Sequence, residues 1–197
     1  MTRRTLSLVL LLMVSALPMF ASQFVERPFD ELARGAKFIV RGTVIDTFST
    51  WDESHEVIWT HATIRVQRYF GETTGPDTLV VRNVGGTVDG YTQQAIGFPE
   101  LRRGENLVLM LSEDGADLRI HAYNQGKFLV QRRGATEVLV SDPVKQGEAP
   151  RAALAPRFGE AATNAIDDSP AMTIDEFANM VDDARAGLNP SLMRRRQ

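Results

Sequence analysis

The residue types that carry most protein chemistry are sparse in this chain. It has no Cys and three His, at positions 55, 61 and 121. The absence of Cys removes disulfides, thiolate metal sites, Cys nucleophiles and iron–sulfur clusters together. On one straight strand His55 and His61 would share a face about 20 Å apart, too far for one metal ion to bridge. His61 and His121 fall on outward parities of two predicted strands and are neighbours only if those strands pair. Their plain reading is solvent-facing imidazole. His55-Glu56 opens like a zinc-protease helix, but Trp59 stands where the second His is required. The acidic pairs Asp52-Glu53, Glu113-Asp114, Asp167-Asp168 and Asp182-Asp183 fall in predicted turns, an arm and a helix surface, and make poor acid/base dyads. There is no G-x-S-x-G nucleophile elbow. Gly85 to Gly90, GGTVDG, has the glycine spacing of a phosphate loop without the Lys-Ser/Thr that follows one. No catalytic residue, metal ligand or cofactor site is predicted.

The strongest functional candidate is a segment. Residues 87–104, TVDGYTQQAIGFPELRRG, interrupt two predicted strands. Connections of that length tend to be functional. Tyr91, Gln93, Gln94, Phe98, Arg102 and Arg103 supply the aromatic–Arg mixture that binding hot spots favour. The competing reading folds this loop back to plug one end of the fold, with Ile96, Phe98 and Leu101 inward. Trp51 and Trp59 flank another loop and either add to a surface patch or cap the core, the sequence not choosing; Trp59 and outward-facing His61 are counted with the candidate surface.

These residues need a scaffold, and its periodicity is readable. Residues 28–35 predict a short helix, with Pro28 at the start, Asp30 and Glu31 in the first turn and Gly35 at the stop. A period of two follows. Phe38, Val40, Gly42, Val44 and Phe48 share one parity, and a long strand from Ile58 to Phe70 has its apolar face on the even positions. A strand that long is expected to bend or carry a bulge. Thr78–Val84 is a third strand. Asn106–Ser112 is apolar on both faces and therefore central. Glu113-Asp114-Gly115 marks a hairpin turn into a fifth strand, where Leu118, Ile120 and Ala122 alternate with Arg119, His121 and Tyr123. A last pair, Phe128–Arg132 and Glu137–Ser141, surrounds Gly134. Thr173 and Glu176 form a capping box, with Met172 and Phe177 as its staple. Ile174, Phe177, Val181 and Ala184 make one apolar helix face that ends at Gly187. The expected fold is mainly β: a small antiparallel OB-like barrel with a short N-terminal helix and a C-terminal helix, a flat sandwich being the alternative.

Residues 1–22 read as an export signal. Arg3 and Arg4 precede an apolar run from Leu6 to Ala16, too short to span a bilayer, and small residues follow at Ala21 and Ser22. Residues 23–142 form the expected β domain, 143–171 a Pro- and Ala-rich linker or arm, 172–187 the docking helix and 188–197 a basic tail. No second long apolar run exists, so no membrane span is expected after signal removal. The net charge of −3 leaves no footprint for nucleic-acid binding. The expected location is the periplasm or the exterior of a bacterium.

Several short motifs carry a resemblance. IVRGTV (Ile39 to Val44), Trp51-Asp52, GGTV-x-G (Gly85 to Gly90), the G-x-P segment from Gly97 to Glu105, QGKF (Gln125 to Phe128) and a T-x-x-E-F helix start (Thr173 to Phe177) resemble a group of uncharacterised exported bacterial proteins. More distantly, the order of helix then strands resembles the netrin-like module of tissue inhibitors of metalloproteinases, an OB-type barrel. That resemblance implies a protein-binding or protease-inhibiting role. Those inhibitors reach the protease zinc with an amino-terminal Cys, which this chain lacks, so no inhibitory residue carries over. The expected function is an exported, non-enzymatic binding module for another protein of unknown identity. The alternatives are a hydrolase with a dispersed site and a structural envelope component.

Overall fold

The computed structural model describes residues 27–95, 97–141 and 171–188. The leader read at residues 1–22, residues 143–170 of the arm and residues 189–197 of the tail lie outside them.

Helix α1 (Phe29–Gly35) starts where the sequence places it. Pro28 supplies the carbonyl that accepts the first helical hydrogen bonds, from Glu31 and Leu32, both at 3.1 Å. Acidic residues occupy its first turn and Arg34 its last, each favourable to the helix dipole. Strand β1 (Phe38–Trp51) then pairs antiparallel with β2 (Ile58–Tyr69). The expected bend is present as register shifts at Arg41/Gly42 and Val44/Asp46. Gly42 is required at the first, because a Cβ there would sit 2.6 Å from the Arg65 carbonyl oxygen. Strand β3 (Thr78–Val84) continues the antiparallel sheet on β2.

Between β3 and β6 (Asn106–Asp114) the chain makes a separate two-stranded hairpin, β4 (Gly86–Val88) and β5 (Tyr91–Gln93). Asp89 and Gly90 both take positive φ at its tip, 50° and 82°, the combination that suits a tight two-residue turn. Strand β7 (Asp117–Ile120) returns from β6 through the Gly115 turn and pairs in parallel with β3 at Val81 and Leu118. β6 also pairs with the start of β1, Phe38 to Thr43, and with β8 (Lys127–Arg133), which forms a hairpin with β9 (Thr136–Ser141). A two-residue β10 (Met172–Thr173) lies on β9 and leads into helix α2 (Ile174–Arg185).

The fifth strand differs from the sequence reading. It stops at Ile120, and Ala122 and Tyr123 adopt left-handed backbone, with φ of 52° and 59°. A 3-10 turn follows over Tyr123–Gly126. The physical reason is a close approach of the chain to itself, since Gly126 packs on the His121 carbonyl without room for a side chain.

Two cores explain why β6 is apolar on both faces. Leu107, Leu109 and Leu111 face a cluster with Val40, Val44, Ala62, Ile64, Val81 and Leu101. Val108 and Met110 face the opposite cluster, with Ile39, Phe70 and the buried sides of both helices. All five β6 residues have no exposed surface. The architecture is thus mainly β with one short N-terminal and one C-terminal helix. Among the described residues no helix is long and apolar enough to cross a membrane.

Candidate binding groove

Outward side chains of β2, β3 and β7 build the most concentrated chemistry on the surface. The β2–β3 register sets Trp59 opposite Val84 and His61 opposite Arg82, so Arg82 lies diagonal to Trp59 on the same face. Its guanidinium carbon is 4.0 Å from the Trp59 ring centroid, and that of Arg119, from β7, is 4.8 Å from it. Each arginine is oriented by a carboxylate. Arg82 Nη1 donates to Asp117 at 2.6 Å, and Arg119 Nη1 lies 2.7 Å from Asp114. These half-buried pairs hold the planar cations over the indole, where cation–π attraction adds to the ion pairing.

Beyond Val81 and Leu118 the β3–β7 ladder stops, and a groove of about 370 Å³ lies there. Its walls include Arg82, Asn83 and Val84 on one side and Arg119, Ile120, His121 and Tyr123 on the other, with Trp59, Phe98 and Arg27 completing it. Phe98 meets Tyr123 edge to face at 4.8 Å. The left-handed Ala122 and Tyr123 form part of this lip, and strained backbone of this kind concentrates at functional sites. Asp114 is the one carboxylate in the lining.

Three buried nitrogen atoms of the lining make no hydrogen bond among the described residues: Arg82 Nε, Arg119 Nε and His121 Nε2. The His121 imidazole packs against Gly35, whose Cβ would lie 2.7 Å from Nε2. Burial, and then the Arg27 charge, hold its pKa below the ordinary His value, with Glu31 opposing. His61 is lowered in the same way, by burial and then by Arg82, and its ring stacks on Phe48 of β1 at 4.9 Å. β3 lies between β2 and β7, so His61 and His121 are not on paired strands.

The residues singled out in the sequence divide into three places. Trp59 and Phe98 line the groove, and His61 is on the same outer face one row from Trp59. Tyr91, 68% exposed, stands at the β4–β5 hairpin and touches Trp51 edge-on at 6.1 Å. Gln94 is exposed close by. Gln93 is committed to the scaffold, its Oε1 accepting from the Ile58 amide at 2.6 Å and its Nε2 donating to the Glu56 carbonyl. Arg102, exposed, binds Glu100 through Nε and Nη2, and Arg103 is exposed beside it.

The 87–104 segment is exposed at one end and folded inward at the other. Tyr91 points outward while Pro99 and Leu101 are buried. Asn83, itself buried, donates to the Pro99 carbonyl at 2.6 Å. Buried Lys127 donates to the Glu100 carbonyl and lies 3.1 Å from the Glu105 carboxylate.

Sequence reasoning missed Arg82, Arg119 and Tyr123. Strand parity marks both arginines as outward, but only the β2–β3–β7 order brings them to Trp59. Asp52 resolves as a turn former. Its carboxylate accepts from the amides of Val57 and Glu56 and from Ser54, and the Val57 bond is the largest influence lowering its pKa. Among the described residues, no three His, Cys, Asp or Glu side chains gather as a metal site. Compared with family models, curated proteins and solved structures, the chain matches none.

Proposed function

We propose that this chain is an exported, non-enzymatic binding module, an OB-type barrel with two helices that engages another protein. The partner class implied by the netrin-like resemblance is an exported protease. The barrel reading is supported by a ring of pairings: β1 with β2, β2 with β3, β3 with β7, β7 with β6, and β6 with β1. Five strands paired in a circle, one pairing parallel, suit a small Greek-key barrel. The export reading is supported by the basic start and short apolar run of residues 1–22.

The observation that carries the binding role is the band of aromatic and arginine side chains on the outer face. It runs from Phe48 through His61, Trp59, Arg82 and Arg119 to Tyr123 and Phe98, while Tyr91 and Trp51 stand on the other face of the β1–β2 pair. Phe48 is 52% exposed and Tyr123 45%, an arrangement a protein partner would bury. Aromatic and arginine anchors of this kind dominate interface energetics.

The test is affinity capture by the purified chain from the exported proteins of its source, with binding to each captured partner then measured directly. Phe48→Ser should weaken the true partner about tenfold or more and leave the thermal midpoint nearly unchanged, because the side chain is exposed. Undiminished binding by that variant, together with undiminished binding by Phe98→Ser, would overturn this reading of the surface.

A further inference from the structure

We infer that one end of the sheet, where two Arg-Arg-Gly turns stand together, is a docking surface for an anionic lipid bilayer. It is a different part of the molecule from the aromatic band, and the inference does not rest on that band. Three observations carry it.

The first is placement. Arg102-Arg103-Gly104 leads into β6, and Arg132-Arg133-Gly134 leads out of β8. Leu107 of β6 pairs antiparallel with Leu129 of β8, so the start of one strand and the end of the other lie at the same end of the sheet. The Gly104 amide donates to the Val44 carbonyl at 2.8 Å and ties the first turn to β1. Both turns are tight. The Glu105 amide donates to the Arg102 carbonyl at 3.1 Å, and Arg133 pairs with Thr136 across the second turn. Gly104 and Gly134 take φ of 89° and 63°, with open space where a side chain would point, so both turns project into solvent.

The second is charge. Arg102, Arg103, Arg132 and Arg133 are all exposed. Of the carboxylates beside them, Glu105 is spent on buried Lys127 and Glu137 on Arg41. Only Glu100, bonded to Arg102, is left to offset the four turn arginines. Arg103 and Arg132 make no hydrogen bond or ion pair among the described residues. Arg65, opposite Thr43, has Asp46 and Asp77 at neighbouring register positions and is left out of this balance. In a chain of net charge −3, such an end is a local positive field.

The third is what this end does not offer other partners. Residues 100–106 and 130–137 contain no aromatic side chain on which a nucleobase could stack. The exposed large hydrophobic residues, Phe48, Val80, Tyr91, Tyr123 and Leu188, all lie elsewhere, so a protein partner finds no apolar centre to bury here. A plane of phosphate headgroups needs neither. It is read by charge alone, and an excess of this size favours an anionic bilayer over a neutral one by about a hundredfold at low salt.

The full chain is sedimented with phosphatidylcholine vesicles and with vesicles carrying about one third phosphatidylglycerol, and the ratio of the two partition coefficients is read. Residues 1–22 and 188–197 carry arginines of their own and are the same in every variant, so the turns are read from differences. The wild-type ratio should be about a hundredfold or more at low salt and collapse near about 0.5 M salt. Arg102→Gln with Arg103→Gln, and Arg132→Gln with Arg133→Gln, should each lower it about tenfold. Changing all four arginines to lysine should leave it within about threefold of wild type, because a charged plane reads charge more than the shape of the cation.

A ratio unchanged in both glutamine pairs overturns the inference, and so does an equal loss in the four-lysine variant. Duplex DNA or polyglutamate that displaces the chain from the vesicles at matched charge assigns the turns to that polymer and also overturns it. If a paired variant fails to fold, Arg103→Gln with Arg132→Gln decides, since it breaks no hydrogen bond or ion pair among the described residues.

Discussion

Single side chains in this molecule are assigned by their burial and partners more than by their type. His121 looks from its sequence position like a wet strand residue, yet it packs on Gly35 with Nε2 buried. Its pKa, like that of His61, is held below the ordinary value of 6.5 by burial. A His with a lowered folded-state pKa binds fewer protons folded than unfolded. The stability it contributes is complete above about pH 6.5 and is lost as pH falls through that value toward the folded one. Denaturation midpoints measured at about pH 7.5 and about pH 5.5 should therefore fall on acidification. The fall should be smaller in His121→Gln, and an equal fall in that variant would remove His121 from the account. Lys127 is the opposite case. Its ammonium is almost fully buried beside Glu105, in a motif, QGKF, that gives no local hint of an ion pair. Such a long-range partner is invisible to spacing along the chain.

At the scale of elements, what is local was legible and what is assembled was not. The capping box of α2 forms as its residues predict: the Glu176 amide donates to Thr173 Oγ1 at 3.2 Å and the Thr173 amide donates to the Glu176 carboxylate at 2.8 Å. Its apolar face is buried in the core shared with α1 and the sheet, and Phe177, 1% exposed, meets Phe29, Phe70 and Phe128 edge to face within 5.5 Å. Phe177→Ala should cost about 3–5 kcal/mol, because three aromatic neighbours cannot all collapse into the space. Urea unfolding measures it, and a cost below about 1 kcal/mol would mean that the helix is not seated on the sheet.

The β4–β5 hairpin shows the reverse. Asp89-Gly90 between Thr87-Val88 and Tyr91-Thr92 is a recognisable turn signal, but the length of the surrounding segment hid it. The fifth strand read three residues too far because alternation continues through His121, Ala122 and Tyr123, whereas the backbone turns there to let Gly126 pass His121. The groove lies where β3 and β7 cease to pair, so none of its geometry could be read before the strand order was known.

Across the whole molecule, one arginine joins parts that the sequence separates most widely. Arg185, at the end of α2, donates to the carbonyls of Ala33 and Ala36 at the end of α1, at 3.3 and 3.1 Å. It also reaches the Gly71 carbonyl at 2.9 Å and Thr73 Oγ1 at 2.5 Å in the β2–β3 connection. The carbonyls at the end of α1 have no helical donor to serve them, and a cation there also suits the helix dipole. Arg185→Met should destabilise the fold by about 2 kcal/mol, and Arg185→Lys should recover less than half, since one ammonium cannot span four acceptors. Equal stability of wild type and Arg185→Met in urea would refute the clasp.

The seating of α2 also sets an order of events. Ile39 of β1 is covered by residues of α2, and the clasp spans 152 positions from Arg185 to Ala33. A chain that has not yet seated α2 therefore holds one side of β1 bare. The fold is therefore complete only once α2 is seated, and a product truncated before Ile174 would carry an uncovered greasy face for quality control to recognise.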